Sequence, residues 1–280
     1  MTDRYAVFGN PVAHSKSPQI HALFAQQTGQ DMQYQAILAP LDGFESSVRD
    51  FIAAGGRGAN VTVPFKEAAF RLATQCATRA NAAGAVNTLM FADGEIVGDN
   101  TDGGGLVSDL RKNLNHHANG KRVLLLGAGG AARGVVLPLL DEYPASLTIA
   151  NRTPDKAQQL VDEQLVDEQM VNGDADAVAT LRCCTFEQLG GQAFDLVINA
   201  TSAGLDNVAL PLPKSIFAPG CLAYEMMYGR DTTFMQLARQ NKARVCDGLG
   251  MLVEQAAEAF FVWRGVRPDT APVLQTLRHA

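Results

Sequence analysis

A glycine-rich segment in the middle of the chain has the residue types that bind a phosphate group. The apolar run Arg122–Leu126 leads into Gly127-Ala-Gly-Gly-Ala-Ala132, and a helix is predicted from about Ala131 to Asp141. Glycines at 127 and 129 allow a sharp turn and a close approach to a pyrophosphate, and the free N–H groups at the helix start face the anion. The segment predicts a dinucleotide-binding turn. The alternative is a strand-turn-helix corner whose small residues serve packing alone.

The end of the next predicted strand indicates which dinucleotide binds. The strand Ser146–Ala150 is followed by Asn151, Arg152 and Thr153, and Lys156 lies one turn further on. Sites that prefer NAD usually carry a carboxylate here for the ribose 2′-hydroxyl, whereas an arginine accommodates a 2′-phosphate. Because no carboxylate occupies 151–153, the pattern favours NADP. These residues also fit the solvated start of a helix, and both interpretations can hold together.

Two charged residues at predicted strand ends could exchange a proton with a substrate oxygen. Lys66 follows Asn60-Val-Thr-Val-Pro-Phe65, and Asp102 ends Gly98-Asp-Asn-Thr-Asp102. Hydride transfer to a carbonyl needs such a proton donor, and a lysine is ordinarily protonated at neutral pH. The reverse direction requires transient deprotonation of the lysine. Taken singly, either residue is more often a surface charge than a catalytic group.

Alternating strands and helices must position these residues. In the first hundred residues we predict strands at Tyr5–Phe8, Tyr34–Leu38 and Ala59–Val63, a hairpin of Ala85–Phe91 with Glu95–Asp99, and helices at Pro18–Gln27, Leu41–Ala54 and up to Ala73. Such alternation favours an α/β fold with a mostly parallel sheet. The glycine-rich segment Asn100–Gly105 is interpreted as a hinge that leads into a helix at Leu106–Leu114.

The second half of the chain predicts another domain. Its later strands are Phe194–Ile198 and Cys221–Tyr224, and the long apolar helix Gly250–Gly265 is expected to pack back on the N-terminal domain. The predicted fold is therefore an N-terminal α/β substrate domain with a mostly parallel sheet plus a Rossmann-type NADP-binding domain, with a cleft between them. We expect the substrate domain to comprise 1–102 and 240–280, and the NADP-binding domain 103–239.

Composition excludes several classes of function. The 280 residues carry a net charge of −6, which does not fit a nucleic-acid-binding protein. The sequence contains no run of 18 apolar residues and no signal peptide, so we expect a cytoplasmic protein without a membrane segment. Five cysteines without a CxxC pair argue against a disulfide framework and against a structural metal site. Monomer and homodimer both stay open, and the adjacent Cys183 and Cys184 receive no function.

Eight short segments across the chain carry a resemblance to one family. The chain resembles the shikimate dehydrogenase family over nearly its whole length. The similarity is carried, in family order, by Gly9-Asn-Pro-Val-Ala-His-Ser-Lys-Ser-Pro18, Asn60-Val-Thr-Val-Pro-Phe-Lys66, Gly84-Ala-Val-Asn-Thr88, Gly98-Asp-Asn-Thr-Asp102, Gly127-Ala-Gly-Gly-Ala131, Asn151-Arg-Thr153, Ile198-Asn-Ala-Thr-Ser202 and Asp247-Gly-Leu-Gly-Met251.

This resemblance implies a reaction and a set of site residues. The reaction is the reversible, NADPH-dependent reduction of 3-dehydroshikimate to shikimate in aromatic amino acid biosynthesis, with Lys66 as the acid/base and Asp102 as its partner. The implied substrate contacts are Ser15 and Ser17 to the carboxylate, Thr62, Asn87, Asp102 and Gln255 to ring hydroxyls, and Tyr228 near the carboxylate end. The implied cofactor contacts are Gly127, Ala128, Gly129, Gly130, Ala131, Asn151, Arg152, Thr153, Lys156, Met226 and Gly248. His14 has no catalytic role in the family, and Glu225 stands where the family usually has Asp.

Two other functions fit part of the same pattern. A quinate/shikimate dehydrogenase that uses NAD or NADP shares the substrate motifs, but it usually carries an acidic residue near the adenosine ribose, unlike Asn151–Thr153 here. A non-catalytic dinucleotide sensor on the same scaffold would be expected to have lost Lys66 or Asp102, and this chain retains both.

Overall fold

The chain forms two compact units in the computed structural model, which describes residues 2–171, 180–204 and 208–279. Unit 1 comprises Met1–Leu106 and Leu252–Ala280, and unit 2 comprises Val107–Met251. None of the helices within the described ranges has the length and hydropathy needed to cross a bilayer.

Unit 1 is built on a six-stranded sheet. Its strands are β1 Asp3–Gly9, β2 Met32–Leu38, β3 Gly56–Val61, β4 Gln75–Cys76, β5 Thr88–Ala92 and β6 Glu95–Asp99, in the order β2-β1-β3-β5-β6-β4. β1 is parallel to β2 and β3, and β4 is parallel to β6, whereas β5 is antiparallel to β3 and β6. The sheet is therefore mostly parallel, as the sequence predicts.

Helices and aromatic side chains complete unit 1. The helices are α1 Ser17–Thr28, α2 Phe44–Ala53, α3 Lys66–Leu72, α4 Thr78–Ala83 and α5 Asp102–Ser108, which begins in this unit. Phe8 on β1 packs edge-on against Phe44 and Phe51 of α2, and Phe65 stacks on Phe44 with ring centroids 4.8 Å apart. This packing fixes α2 and the start of α3 against one face of the sheet.

Unit 2 is a fully parallel doubly wound sheet within its described residues. Its strands are β7 Arg122–Leu126, β8 Ser146–Ala150, β9 Thr180–Cys184, β10 Phe194–Asn199, β11 Phe217–Glu225 and β12 Arg244–Cys246, in the order β12-β11-β10-β7-β8-β9. Its helices are α6 Gly130–Leu140, α7 Pro154–Val171 and α8 Thr233–Gln240. The strand order reverses between β7 and β10, and dinucleotides bind at the carboxyl ends of strands at such a point.

Two helices follow unit 2's last strand. α9 covers Leu249–Arg264 and α10 covers Thr270–Arg278. The part of α9 that belongs to unit 1 places Phe260 and Trp263 against His21 of α1, with ring centroids 6.2 Å and 5.3 Å from the imidazole. The expectation that this apolar helix packs on the N-terminal residues agrees with these contacts.

Some predicted boundaries are wrong around the candidate catalytic residues. β3 ends at Val61 and not at Val63, so Lys66 lies at the first position of α3 rather than directly after a strand. Asp102 likewise begins α5, and the helix runs through the glycines that were interpreted as a hinge. The Asp102 N–H donates to Asn100 Oδ1 at 3.1 Å, and this side-chain bond at the helix start compensates for the low helix propensity of glycine. A π-helical turn at Asp109–Asn113 follows.

Candidate active site

A lysine and an aspartate form a close, partly buried ion pair in unit 1. Lys66 Nζ donates to Asp102 Oδ2 at 2.5 Å, and the two side chains are only 18% and 8% exposed. Each residue begins a helix, so the backbone holds both Cα positions. An ammonium in such a pair can donate a proton to an oxygen placed beside it and be held in place by the carboxylate.

Amide side chains surround the other oxygen of this carboxylate. Asn87 Nδ2 donates to Asp102 Oδ1 at 2.8 Å and also lies 3.3 Å from Gln255 Oε1. Asn87 Oδ1 accepts from the Thr101 N–H at 2.9 Å, which fixes the orientation of the amide. The structure thus brings Lys66, Asn87, Asp102 and Gln255 together, and such a set of donors and acceptors suits vicinal hydroxyl groups.

The serine loop and Thr62 lie at the carboxyl ends of β1 and β3. Ser17 is buried and its N–H donates to Ser15 Oγ at 3.2 Å, so the two hydroxyl-bearing residues lie side by side. Thr62 packs against the loop start at Gly9, where an added Cβ would lie 2.5 Å from the Thr62 methyl group. Glycine at position 9 therefore permits this close approach.

Asn60 and Thr88 also belong to this cluster, although neither is among the site residues predicted from the sequence. Asn60 is 6% exposed, and its Nδ2 donates to Thr88 Oγ1 at 3.1 Å. Thr88 Oγ1 in turn donates to Asn87 Oδ1 at 2.8 Å. A polar residue at a buried strand position was the available signal, because such a side chain needs a hydrogen-bond partner.

The glycine turn of unit 2 has the predicted conformation. Gly127 has φ +106°, a value that L side chains rarely adopt, and an added Cβ would lie 3.2 Å from Thr201. Its N–H donates to Ala150 O at 2.8 Å, which ties the turn to β8. Within the described part of the chain, a Cβ at Gly129 or Gly130 would meet no atom within 4 Å. The N-terminus of α6 therefore faces open space, as binding of a pyrophosphate requires.

The basic residues after β8 are exposed. Asn151 donates through its N–H to Cys184 O at 3.2 Å and through Nδ2 to Thr153 O at 2.9 Å, so this loop has a defined shape. Arg152 and Lys156 are both solvent-exposed and follow directly from it. Their position fits a 2′-phosphate and equally fits the solvated start of α7.

A buried carboxylate organises the segment after β11. Glu225 is fully buried and accepts from Asn199 Nδ2 at 2.7 Å, from Thr232 Oγ1 at 2.9 Å and from the Met227 N–H at 3.1 Å. Burial raises the pKa of the Glu225 carboxyl, and the three donors oppose that rise. The Glu225 side chain is longer than the Asp that the family usually has here, and bonds from Asn199, Met227 and Thr232 hold it in place.

Gly248 packs directly on the residue after Glu225. A Cβ at position 248 would lie 2.2 Å from Met226 O, and the Gly248 N–H donates to Met227 O at 2.9 Å. Only glycine allows this approach, so Met226 and Gly248, both predicted to contact the cofactor, are in contact with each other. Tyr228 lies half-buried on the same segment.

The predicted site residues divide between the units. Unit 1 holds Ser15, Ser17, Thr62, Lys66, Asn87, Asp102 and Gln255, and unit 2 holds Gly127, Ala128, Gly129, Gly130, Ala131, Asn151, Arg152, Thr153, Lys156, Met226, Tyr228 and Gly248. Among the described residues, no cluster of three or more His, Cys, Asp or Glu side chains has the arrangement of a metal site.

Comparison with known proteins gives matches over almost the whole chain. Family models for the shikimate dehydrogenase substrate-binding domain, shikimate/quinate 5-dehydrogenase and the shikimate 5′-dehydrogenase C-terminal domain match residues 7–89, 109–205 and 248–278. A shikimate dehydrogenase (NADP(+)) from Dechloromonas aromatica is 61% identical over 99% of this chain and 98% of its own length.

Solved structures give the same result. The crystal structure of an Ael1 enzyme from Pseudomonas putida has a TM-score of 0.89 and 50% identity, with 98% of each chain covered. Shikimate 5-dehydrogenase from Thermus thermophilus, solved in complex with NADP(H) and shikimate, has a TM-score of 0.85 and 33% identity, with 99% of each chain covered. On this identity and coverage, the chain belongs to the shikimate dehydrogenase (NADP(+)) family.

Proposed function

We propose that this chain is an NADP-dependent oxidoreductase that reversibly reduces 3-dehydroshikimate to shikimate. The observation that carries the proposal is the 2.5 Å contact between Lys66 Nζ and Asp102 Oδ2 within a cluster of amide side chains. Family membership supports the substrate and the cofactor, because relatives with more than half of their residues identical carry the name shikimate dehydrogenase (NADP(+)).

Residues of unit 1, together with Tyr228 of unit 2, would bind and orient the substrate. The Ser15 and Ser17 hydroxyls would donate to its carboxylate, and Asn87, Asp102 and Gln255 would hold ring hydroxyls, with Thr62 and Tyr228 as further contacts. A carboxylate and two amides offer both acceptors and donors to adjacent hydroxyl groups. Such orientation places the reacting oxygen within reach of Lys66.

Lys66 would move the proton. In the reduction, its protonated Nζ donates to the ketone oxygen as negative charge develops there, while Asp102 Oδ2 keeps the ammonium in position. In the oxidation, the neutral amine of Lys66 takes the hydroxyl proton. Asp102 Oδ1 stays bound to Asn87 Nδ2 throughout, so the carboxylate does not rotate.

The residues of unit 2 fit NADP. The Gly127 turn and the open space before α6 suit the pyrophosphate, Arg152, Thr153 and Lys156 suit a 2′-phosphate, and Asn151, Met226 and Gly248 complete the proposed set. When bound, this cofactor supplies the hydride for the reduction and accepts it in the oxidation.

The test is the absorbance change of NADP⁺ reduction with shikimate, repeated with quinate and with NAD⁺. We expect turnover with shikimate and NADP⁺, and a kcat/KM at least tenfold lower with NAD⁺. No turnover with shikimate would refute the proposed reaction. Equal kcat/KM with both dinucleotides, together with turnover of quinate, would favour the second candidate, a quinate/shikimate dehydrogenase, which one matching family model names.

We also infer that the enzyme works in the cytoplasm, as a monomer or a homodimer. Within the described part of the chain, none of the five cysteines forms a disulfide, which suits a reducing compartment. Light scattering of the purified protein distinguishes a mass near 29.9 kDa from twice that value.

A further inference from the structure

A chain of hydrogen bonds runs from Tyr34 on β2 to the carboxylate of Asp102. The Tyr34 hydroxyl donates to Asn60 Oδ1 at 2.8 Å, and Asn60 Nδ2 donates to Thr88 Oγ1 at 3.1 Å. Thr88 Oγ1 donates to Asn87 Oδ1 at 2.8 Å, and Asn87 Nδ2 donates to Asp102 Oδ1 at 2.8 Å. The residues come from four separate segments of unit 1, so the chain of bonds links elements that are distant in sequence.

The Asp102 carboxylate determines which partner donates in every hydrogen bond of this series. An ionised carboxylate only accepts hydrogen bonds, so Asn87 must present Nδ2 to Asp102 and Oδ1 to Thr88. Thr88 then gives its single proton to Asn87 and accepts from Asn60 Nδ2. Asn60 is left with Oδ1 for the phenol, and Tyr34 must therefore be the donor.

The Tyr34 ring is held in place independently of its hydroxyl group. The ring stacks on His21 with centroids 4.2 Å apart and planes at 9°, and Trp263 lies 6.3 Å away. Burial raises the pKa of the Tyr34 phenol, and the Ser17 side chain opposes that rise. The stacked ring therefore stays in place when the hydroxyl group is removed.

We propose that Tyr34 is a positioning residue for substrate binding, which through Asn60 and Thr88 supports the amide orientation of Asn87 that the Thr101 N–H also holds. The proposal rests on the proposed function, because Ser17, Asn87 and Asp102 act on shikimate only if that function is correct. Without the phenolic proton, Asn60 Oδ1 loses its donor, and the Asn60 amide is held only by the bonds from its Nδ2 to Thr88 Oγ1 and to Asn87 O. The support that reaches Asn87 from this side is then weakened, while the Thr101 N–H still holds Asn87 Oδ1. Hydrogen bonds in series also strengthen one another, so the effect extends beyond the first bond.

The test is the Tyr34→Phe variant, which keeps the stacked ring and removes only the hydroxyl group. We expect the KM for shikimate to rise about fivefold, the scale of one neutral hydrogen bond, with kcat changed less than twofold and the KM for NADP⁺ unchanged. In the Asn60→Ala background, where the chain of bonds is already broken, the same substitution should change the KM for shikimate less than twofold.

Tyr5→Phe is the matched control. Tyr5 packs on Trp263 with centroids 4.7 Å apart, and its hydroxyl lies 3.4 Å from Arg264 Nη1, outside the chain of bonds. It should leave both KM values within twofold of wild type. A wild-type protein without shikimate turnover would refute the proposed function and this inference together. An active wild type with an unchanged KM in Tyr34→Phe, or full additivity with Asn60→Ala, would refute the inference alone.

Discussion

The imidazole of His21 should make the stability of unit 1 depend on pH. The ring is fully buried among Phe24, Tyr34, Phe260 and Trp263, and within the described part of the chain neither of its nitrogens has a hydrogen-bond partner. Burial lowers the pKa of His21 to about 3, and the side chain of Asn60 acts in the opposite direction. The folded protein therefore keeps His21 neutral throughout the usual working range.

The sign and size of the effect follow from this lowered pKa. Below about pH 6.5 the unfolded chain takes up a proton at His21, whereas the folded chain does so only near pH 3. The contribution of His21 to stability is thus fully present above pH 6.5 and is lost as the pH falls toward 3. Each pH unit inside this window costs about 1.4 kcal/mol, so the free energy of unfolding should fall by about 2 kcal/mol between pH 7 and pH 5 on account of this residue.

The assay is urea unfolding at pH 7 and pH 5, followed by the fluorescence of Trp263, which is the single tryptophan and lies beside His21. His21→Phe removes the titrating ring and its two unpartnered nitrogens. Between pH 7 and pH 5, the decrease in the free energy of unfolding should therefore be about 2 kcal/mol smaller in this variant than in the wild type. Phe24→Leu, a packing change beside the same ring, should lower stability equally at both pH values. Identical pH dependence in wild type and His21→Phe would refute the reasoning.

Three further predictions, the last with a matched control substitution, test the site and the fold. Lys66→Met should lower kcat about 10²-fold or more with a smaller change in KM, because a positioned acid/base is lost; a near-normal kcat in steady-state assays would exclude Lys66 as the proton donor. Arg152→Ala should raise the KM for NADPH about tenfold and leave that for NADH unchanged, since only NADPH carries the 2′-phosphate. Gly250→Ala should lower the free energy of unfolding by about 3 kcal/mol or more in urea titrations, because the new Cβ would lie 1.9 Å from Asp109 Oδ1. The control is Gly104→Ala, whose new Cβ would have its nearest atom at 3.9 Å, and this substitution should be neutral or stabilising.

Local patterns were sufficient to predict the phosphate turn. A buried strand, a glycine that must adopt positive φ and a helix start all lie within residues 122–132, and each follows from neighbouring residues alone. Apolar runs between turn residues mark buried strands. This signal was sufficient to predict the mostly parallel sheet of unit 1 and the strands β7, β8, β10 and β11 of unit 2. The short strand β12 had no such signal.

The contacts of the candidate site depend on distant residues. Gln255 meets Asn87 across 168 positions of sequence, and no periodicity or spacing relates the two. Resemblance to a family placed both residues at the ring hydroxyls. Tyr34 lies in none of the family motifs, and the resemblance gives Asn60 no role, so their part became visible only through their hydrogen bonds. The start of α5 was missed for a related reason, because the Asn100 side chain overrides the low helix propensity of three successive glycines.

The interrupted course of unit 1 has a consequence for biosynthesis. Met1–Leu106 leave the ribosome first, yet the segment that covers His21 and Tyr5 belongs to Leu252–Ala280, about 150 residues later. At translation speeds of about 5–20 residues per second, the nascent chain spends roughly 7–30 s with that aromatic surface uncovered. Val107–Met251 form an uninterrupted unit. Unit 2 can therefore complete its fold before unit 1, although most of unit 1 is translated earlier.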